Sequence, residues 1–199
     1  MKKLGFIGFG NMGQALAKGF VSSGNVSGKD VFAYAPNQEK LAANCGNLGV
    51  EACSSLENVV TECDIIVMAC KPYQIEEVLA KLGEKLNGKS ILSVAASWDY
   101  EKYKSLLTDK TKVQCIMPNT PVSEGVLLVA EENDWDIEDR KWILGLLGSV
   151  GRVVELPTKL MDAGMAISGC GPAFVDMIIE ALADGGVKNG LQRAQAYEL

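Results

Sequence analysis

The sequence predicts an α/β protein: a doubly wound, mostly parallel sheet with helices, followed by the start of an all-helical C-terminal domain. Three observations support this prediction. Short strand-forming segments alternate with amphipathic helical segments, as expected of repeated βαβ units. The segment DIIVMAC, residues 64–70, is almost wholly apolar, which is typical of a parallel strand buried on both faces. After Pro157 the sequence favours helix throughout.

The composition is that of a globular protein. The chain has 199 residues, enough for one complete domain and part of a second. Hydrophobic residues make up 48% and charged residues 22%, and no uninterrupted apolar run reaches the roughly 18 residues of a membrane-spanning helix. The net charge of -6 disfavours general attraction to nucleic acid or anionic lipid. Glycines interrupt the apolar stretch near the N-terminus, which is unlike a signal peptide.

The cysteine and histidine content limits which metal sites, disulfides and catalytic mechanisms the protein can have. Six cysteines lie far apart with no CxxC pair: Cys45, Cys53, Cys63, Cys70, Cys115 and Cys170. They predict free thiols in a reducing cytoplasm, with no metal site and no compact disulfide framework. The chain contains no histidine. This excludes histidine-dependent triads, histidine metal ligands and the histidine acid of many hydroxy-acid dehydrogenases.

A glycine motif joins the first predicted strand to the first helix. Gly8, Gly10 and Gly13 follow a strand-forming segment and precede apolar residues at helical spacing. Gly8 permits a tight turn, Gly10 lets the backbone approach a pyrophosphate, and Gly13 lets the helix lie close to its strand. A glycine turn that binds nothing is the alternative. We predict a Rossmann-type dinucleotide site at Gly8, Phe9, Gly10, Asn11, Met12 and Gly13.

The end of the second strand bears on cofactor choice. We predict this strand at residues 30–35 and a helix at 38–45. In the simplest NAD site, an acidic residue about 20 residues past the glycines binds the ribose 2′-hydroxyl, but this strand ends in YAPN, residues 34–37. Asn37 or Lys40 could donate to a 2′-phosphate instead, so we expect NADP, with NAD possible. Asn37 has an alternative role as a turn residue after Pro36.

Two later strand ends add to the predicted site. The strand at residues 64–70 ends at Lys71 and Pro72. The carboxyl ends of parallel strands line the ligand crevice, so we expect Lys71 near the cofactor; a solvated lysine is the alternative. A helix at 74–86 and a strand at 90–94 follow. The small residues Ala95 and Ala96 would then let a nicotinamide ring approach the backbone.

The remaining elements complete one domain and begin another. We predict helices at residues 100–107 and 137–147, and strands at residues 113–117, 123–129 and 152–156. The two prolines of MPNTP, residues 117–121, stop a strand, and Asn119 between them either orients a substrate or caps the turn. Pro157 marks the boundary between an NAD(P)-binding domain at 1–158 and a truncated helical dimerisation and substrate domain at 159–199.

The C-terminal segment predicts helices separated by glycines. Two glycines break the first, residues 160–167, and Pro172 begins the next, which ends at Gly185 and Gly186. The polar residues of that helix recur every four positions and form one stripe: Asp176, Glu180 and Asp184. The rest of its surface is apolar and needs cover. We therefore expect a homodimer or higher homo-oligomer; the alternative is that the helix folds back onto the first domain.

Five segments together resemble the pyrroline-5-carboxylate reductase family: IGFGNMGQALAKGF at 7–20, KP at 71–72, MPNTP at 117–121, SGCGPAF at 168–174 and EALADGGVKNGL at 180–191. The resemblance covers almost the whole chain. It implies reduction of 1-pyrroline-5-carboxylate to L-proline by hydride from NADPH or NADH, with the cofactor supplying the chemistry. It also implies cofactor contacts at the glycine motif, Asn37, Lys71, Pro72, Ala95 and Ala96.

The chain departs from that family's pattern in places. Cys115 stands where the family often has an arginine, Cys170 and Phe174 each lack a hydroxyl of SGSGPAY, and Gln192 replaces the proline of GLPR. The family continues into further helices and a PGGAT-type substrate loop. No catalytic or proline-binding residue can therefore be carried over from the family, and we name none. We name no metal ligand either, and we expect the chain to hold cofactor with little turnover of its own.

Two other functions stay open on the residues. A β-hydroxyacid dehydrogenase of similar build would need a catalytic lysine on the interdomain helix, and residues 172–184 contain none. A nucleotide-binding, non-catalytic protein would also need no substrate loop. NADPH oxidation measured with pyrroline-5-carboxylate, and NADP reduction measured with 3-hydroxy acids, would distinguish the three.

Overall fold

The computed structural model describes residues 2–119 and 125–199. The chain divides into two compact units, Met1–Met161 and Asp162–Leu199. The domain boundary predicted from the sequence, after residue 158, lies slightly earlier.

The first unit is built on one sheet of eight strands. They are β1 (Leu4–Ile7), β2 (Val31–Tyr34), β3 (Glu51–Ala52), β4 (Ile65–Met68), β5 (Ser90–Ser93), β6 (Lys112–Pro118), β7 (Val126–Asn133) and β8 (Arg152–Leu156). Their order is β3-β2-β1-β4-β5-β6-β7-β8. Strands β1 to β6 pair in parallel, β7 runs antiparallel to β6, and β8 is parallel to β7. The predicted doubly wound, mostly parallel sheet is confirmed.

Helices connect these strands. They are α1 (Asn11–Ser22), α2 (Gln38–Leu48), α3 (Leu56–Glu62), α4 (Ile75–Leu82), α5 (Tyr100–Lys104) and α6 (Ile137–Gly148). Short 3-10 turns flank α4 at Pro72–Gln74 and Gly83–Leu86, so the predicted helix at 74–86 is divided. Neither α3 nor the two-residue β3 was predicted from the sequence.

The central strands form the core of this unit. Every residue of β1 and of β4 is buried, which is why both segments are apolar without alternation. Phe6 of β1 packs beside Phe20 of α1, with their ring centroids 6.4 Å apart. The edge strand β8 is largely uncovered. The buried centre therefore holds β1 and β4 side by side, and the loops that follow them start from fixed positions.

The second unit is helical, and its first helix is not broken as predicted. It consists of α7 (Met161–Met165), a π-helical turn at Ala166–Cys170, α8 (Gly171–Lys188) and α9 (Arg193–Glu198). The predicted break at the two glycines is wrong, because Gly171 takes a right-handed φ of -51° and the wider turn absorbs the local irregularity. A Cβ at Gly169 would lie 2.5 Å from Met165 Sδ, so this glycine makes room for the methionine.

The predicted end of α8 at Gly185 and Gly186 is also wrong. The helix ends at Lys188, Asn189 is its C-cap residue, and Gly190 follows with a φ of +101°. Leu191 N donates to Gly186 O at 3.1 Å and Gly190 N donates to Val187 O at 3.0 Å, which is a Schellman ending. Gly186 instead lies against α9, because a Cβ there would be 3.3 Å from the Ala196 Cβ.

One helical stretch, Thr158–Lys188, is long and apolar enough by length and composition to cross a membrane. Its most apolar 18-residue window has a mean hydropathy of 1.4, and none of it is buried within the structure. One such helix is weak evidence for a membrane span. An apolar helix that subunits bury between them has the same composition.

Candidate nucleotide-binding site

The loop after β1 begins where the strand order reverses. The chain goes from β1 to β2 on one side and comes back from β3 to β4 on the other. Ligands of open α/β sheets bind outside the carboxyl ends of the strands at this point. Gly8 N donates to Tyr34 O at the end of β2, and Ala69 N donates to Ile7 O, each at 2.9 Å. The segments that follow β1, β2 and β4 therefore meet here.

The three glycines of the motif occupy different surroundings. Gly8 has a φ of +97°, and a Cβ on it would lie 2.5 Å from the Ala69 carbonyl carbon and 2.6 Å from the Ala69 oxygen. A Cβ on Gly13 would lie 2.6 Å from Gly8 O. A Cβ on Gly10 would meet nothing within 4 Å. Gly8 and Gly13 thus permit close backbone packing, while Gly10 faces open space, as the approach of a ligand requires.

The N-terminus of α1 has the features of an anion-binding helix end. Gly10 is the N-cap residue, no side chain caps the helix among the described residues, and the first turn contains no acidic residue. The amide groups of Asn11, Met12 and Gly13 therefore lack intrahelical partners and carry the positive end of the helix dipole. Gln14 Nε2 donates to Phe9 O at 2.9 Å and supports the loop from the helix.

Asn37 begins α2, and Lys40 lies in its first turn. Asn37 Oδ1 accepts a hydrogen bond from Lys40 N at 2.9 Å, so Asn37 is the N-cap residue. This is close to the turn role considered as its alternative. Its side-chain nitrogen and the exposed Lys40 ammonium make no hydrogen bond or ion pair within the described residues. Glu39 is the acidic residue of this turn.

The segments after β4 and β5 are linked to each other. Lys71 is exposed, and its backbone N donates to Gln74 Oε1 at 3.2 Å. Trp98 Nε1 donates to Pro72 O at 3.1 Å, so the segment after β5 is tied to the segment after β4. Ala95 is buried and Ala96 is exposed. The predicted residues of the two segments thus belong to one connected edge of the sheet.

The two thiols near this edge, half-buried Cys70 and buried Cys115, are weak nucleophiles. Burial raises the pKa of the Cys70 thiol to about 11 and that of the Cys115 thiol to about 12. Both are therefore protonated at neutral pH and are poor nucleophiles. Cys115 lies within β6 and is buried, so it is no substitute for an anion-pairing arginine. Within residues 2–119 and 125–199, no cluster of acidic and thiol side chains has the arrangement of a metal site.

The predicted MPNTP segment lies partly outside the described residues. Met117 and Pro118 end β6, and Asn119 N donates to Val126 O at 3.3 Å. Thr120 and Pro121 are not described, nor are Ser123 and Glu124 at the start of the predicted strand 123–129. The two roles considered for Asn119 both stay predictions.

A surface cavity of about 550 Å³ lies elsewhere, against α6 and β8. Its lining includes Trp135, Arg140 and Glu155. The Arg140 guanidinium pairs with the Glu155 carboxylate, and within the described residues Trp135 Nε1 is buried without a partner. The cavity includes none of the residues predicted to bind a cofactor.

Sequence reasoning missed Ser93, Trp98 and Tyr103, which support the segment after β5. The signal was available in part: Trp98 precedes a short helix after a buried strand, and Tyr103 lies within that helix. The hydroxyl pair between Ser93 and Tyr103, with the oxygens 2.9 Å apart, joins two elements and has no signature in residue spacing.

A doubly wound sheet with a glycine loop at its switch point is the dinucleotide-binding fold that NAD(P)-dependent oxidoreductases use. Residues 3–97 match the family described as "NADP oxidoreductase coenzyme F420-dependent". Residues 158–199 match "Pyrroline-5-carboxylate reductase dimerisation". With the whole-chain relatives described next, the chain belongs to the pyrroline-5-carboxylate reductase family.

Curated relatives align with nearly the whole chain. The pyrroline-5-carboxylate reductase of Treponema pallidum is 38% identical over 202 residues, which cover 98% of this chain and 76% of the relative. That of Escherichia coli is 35% identical and covers 99% of this chain and 74% of the relative. The chain thus spans about three quarters of the length of these relatives.

Solved structures agree with the fold. The Plasmodium falciparum pyrroline carboxylate reductase, solved with NADP bound, has a TM-score of 0.87 at 35% identity and covers 99% of this chain and 73% of that one. The Coxiella burnetii pyrroline-5-carboxylate reductase has a TM-score of 0.91 at 24% identity, with 98% and 74% covered. At that identity the second likeness shows the fold alone.

Proposed function

We propose that the chain is an NAD(P)H-dependent reductase that converts 1-pyrroline-5-carboxylate to L-proline in proline biosynthesis. The observation that carries this proposal is the 38% identity, over 98% of the chain, with a curated reductase of that name. The open position of Gly10 beside the uncapped start of α1 supports it, because a pyrophosphate needs both close approach and amide donors. When bound, the cofactor supplies the hydride that reduces the C=N bond.

The residues of this chain would hold and orient the cofactor. The amide groups of Asn11, Met12 and Gly13 would donate to the pyrophosphate, with Gly8, Phe9 and Gly10 shaping the loop. Asn37 Nδ2 and the Lys40 ammonium would donate to a 2′-phosphate, which favours NADP over NAD. Lys71 and Pro72 would lie along the cofactor from the β4 side.

The nicotinamide end would lie at the segment after β5. Ala95 and Ala96 carry no bulky side chain, so a flat ring can approach the backbone there. Reduction then adds hydride to the imine carbon and a proton to the nitrogen. Because hydride transfer depends on position, holding the ring is the main task of these residues.

Cofactor binding is tested by titrating the purified chain with NADPH and with NADH. Gly10→Asp places a carboxylate against the pyrophosphate position and should abolish binding of both. Gly145→Asp is a matched control, because Gly145 on α6 also faces open space. Unchanged NADPH affinity in Gly10→Asp would overturn the site. NADH binding as tight as NADPH binding would overturn the NADP preference.

Substrate class is tested by following NADPH oxidation with pyrroline-5-carboxylate, and NADP reduction with 3-hydroxy acids. We expect any turnover, however slow, to occur with the cyclic imine and none with the hydroxy acids. The reverse result would favour a hydroxy-acid dehydrogenase. α8 extends to Lys188, so one lysine does lie in its last turn.

The second unit supports association of identical chains. α8 exposes a set of large apolar side chains: Phe174, Val175, Met177, Ile178, Ile179 and Leu182. Burying what remains exposed of each would contribute part of the roughly 1.5–3 kcal/mol that complete burial of such a side chain provides. We propose that α8 and its neighbours pair with a second copy to give a homodimer or higher homo-oligomer, with residues 1–158 as the NAD(P)-binding domain and 159–199 as the start of the dimerisation domain.

Sedimentation equilibrium tests this association. Ile178 is 60% exposed, and Ile178→Asp should dissociate the oligomer without unfolding the first unit. Leu106→Asp is the matched control, since Leu106 is an aliphatic side chain 51% exposed and outside α8. A monomer in the unsubstituted chain at micromolar concentration would contradict the proposal and favour a helix that folds back on its own chain.

The surroundings we propose are the cytoplasm, with no nucleic-acid or membrane partner. All six thiols are unpaired, which suits a reducing compartment. The net charge of -6 opposes binding to polyanions. Retention of the purified protein on anionic vesicles would count against this placement.

A further inference from the structure

The segment that follows β5, residues 94–98, is held at both ends. At its start, Val94 N donates to Met68 O at 3.2 Å and Ala95 N donates to Ser93 Oγ at 3.3 Å. At its end, Trp98 Nε1 donates to Pro72 O. Between these anchors Ser97 has a φ of +64°. This left-handed conformation is energetically unfavourable for any residue that has a Cβ atom. Such strain persists where the surroundings over-determine the backbone.

The support comes from α5. Ser93 Oγ and Tyr103 OH are 2.9 Å apart, and both residues are buried. The Trp98 and Tyr103 rings lie with their centroids 4.9 Å apart. Lys102 Nζ lies 4.2 Å from the centroid of the Trp98 ring, on the same short helix as Tyr103. A continuous set of contacts therefore runs from α5 through the two rings to the segment.

The chemistry of these contacts is more specific than core packing needs. A phenylalanine at 103 would fill nearly the same volume without a hydroxyl. The Tyr103 hydroxyl instead pairs with the same Ser93 oxygen that accepts from Ala95 N. In a buried place a polar group left without its partner is costly, so the pair fixes geometry strongly.

We propose that Ser93, Trp98 and Tyr103 are positioning residues. They fix the backbone position of Ala95 and Ala96, against which the nicotinamide end of the cofactor would lie. The Trp98 to Pro72 hydrogen bond sets this segment relative to Lys71. This inference rests on the proposed function, because it assigns a task within the same site. It predicts that removing one of these contacts weakens binding of the nicotinamide end of the cofactor and leaves binding of the adenine end unchanged.

The experiment compares two ligands. NADPH spans the whole site, whereas 2′-phospho-ADP-ribose has the same adenine end and pyrophosphate but no nicotinamide. Tyr103→Phe should weaken NADPH binding about three- to tenfold, the usual effect of one buried hydrogen bond, and change binding of the shorter ligand less than about twofold. Tyr100→Phe is the matched control: the same change on the same helix should alter neither affinity.

A second variant and a cycle complete the test. Trp98→Phe removes the bond to Pro72 O and keeps an aromatic ring, and it should show the same selective loss. In the double variant Ser93→Ala, Tyr103→Phe, the loss should be smaller than the sum of the single losses, because both remove one shared contact.

Two results would overturn the inference. Equal weakening of both ligands would mean that the residues serve overall stability, and unchanged NADPH affinity in both Tyr103→Phe and Trp98→Phe would mean that they position nothing. Failure of the unsubstituted chain to bind NADPH would instead overturn the proposed function, and this inference with it. Circular dichroism of each variant separates unfolding from these outcomes.

Discussion

Replacing Gly8 by alanine should lower the stability of the protein, whereas replacing Gly10 by alanine should weaken NADPH binding and leave stability nearly unchanged. Gly8 has a φ of +97°, and its added Cβ would press on the Ala69 carbonyl group at 2.5–2.6 Å. The left-handed backbone costs about 1–2 kcal/mol and the overpacking a further 1–3 kcal/mol or so. We expect Gly8→Ala to lower the free energy of unfolding by about 2–5 kcal/mol, a large part of the roughly 5–15 kcal/mol of a typical domain.

Gly10→Ala is the same chemical change two residues later, in open space. It should cost about 1 kcal/mol or less, since alanine is merely a poorer N-cap residue than glycine. The substitution should instead lower the affinity for the cofactor, because the added methyl group occupies the side from which the pyrophosphate would approach. Gly10→Ala should therefore keep its stability and bind NADPH more weakly.

Thermal denaturation and NADPH titration of both variants measure the two effects. For a chain of this size 1 kcal/mol corresponds to about 2–4 °C, so Gly8→Ala should melt roughly 4–20 °C lower. If Gly8→Ala melted within a degree of the unsubstituted chain, the close contact with Ala69 would be refuted. If Gly10→Ala bound NADPH normally, the pyrophosphate placement would be refuted.

Three further changes have defined outcomes. Ser97→Gly should raise the free energy of unfolding by about 1 kcal/mol, because glycine adopts a φ of +64° without strain; Ser105→Gly, at a φ of -66°, should not, and a melting curve compares them. Burial raises the pKa of Cys115 to about 12, so the unfolded state loses this proton first, and this thiol alone should lower the free energy of unfolding by about 1.4 kcal/mol per pH unit between about pH 9 and 12; urea titrations should show a shallower fall in Cys115→Ala. Gly185→Leu should fold normally, because Gly185 faces open space. Gly186→Leu should disturb the packing of α9 against α8, because a Cβ at Gly186 already lies 3.1 Å from Leu191 Cδ1. Helix content measured by circular dichroism distinguishes the two variants.

The sheet was predictable because its signals are local. Strands β1 and β4 are apolar throughout, and the glycines between β1 and α1 mark the turn that a parallel sheet places at its switch point. The sequence could not reveal β3, since two exposed residues have no periodicity to detect. It also overstated glycine as a helix stop in the second unit, where Gly169 and Gly186 make room for neighbouring side chains.

The candidate site was predictable in its loops and not in its supports. Gly8, Lys71 and Ala95 follow strand ends, which topology brings together, so their placement follows from the strand order. The contacts from Trp98 to Pro72 and from Tyr103 to Ser93 join side chains across elements. Their partners are chosen by packing, and spacing along the chain contains no record of that choice.

The π-helical turn between α7 and α8 makes the second unit tolerant of a change in chain length. Such a turn accommodates one extra residue, because an i→i+5 hydrogen bond takes the place of an i→i+4 bond. Deleting one residue of Ala166–Cys170 would therefore restore regular winding and leave the apolar side of α8 facing nearly the same way relative to α7. The loss of one codon here would leave the side chains of the proposed subunit contact aimed as before, whereas the same loss within α8 would turn part of them by about 100°.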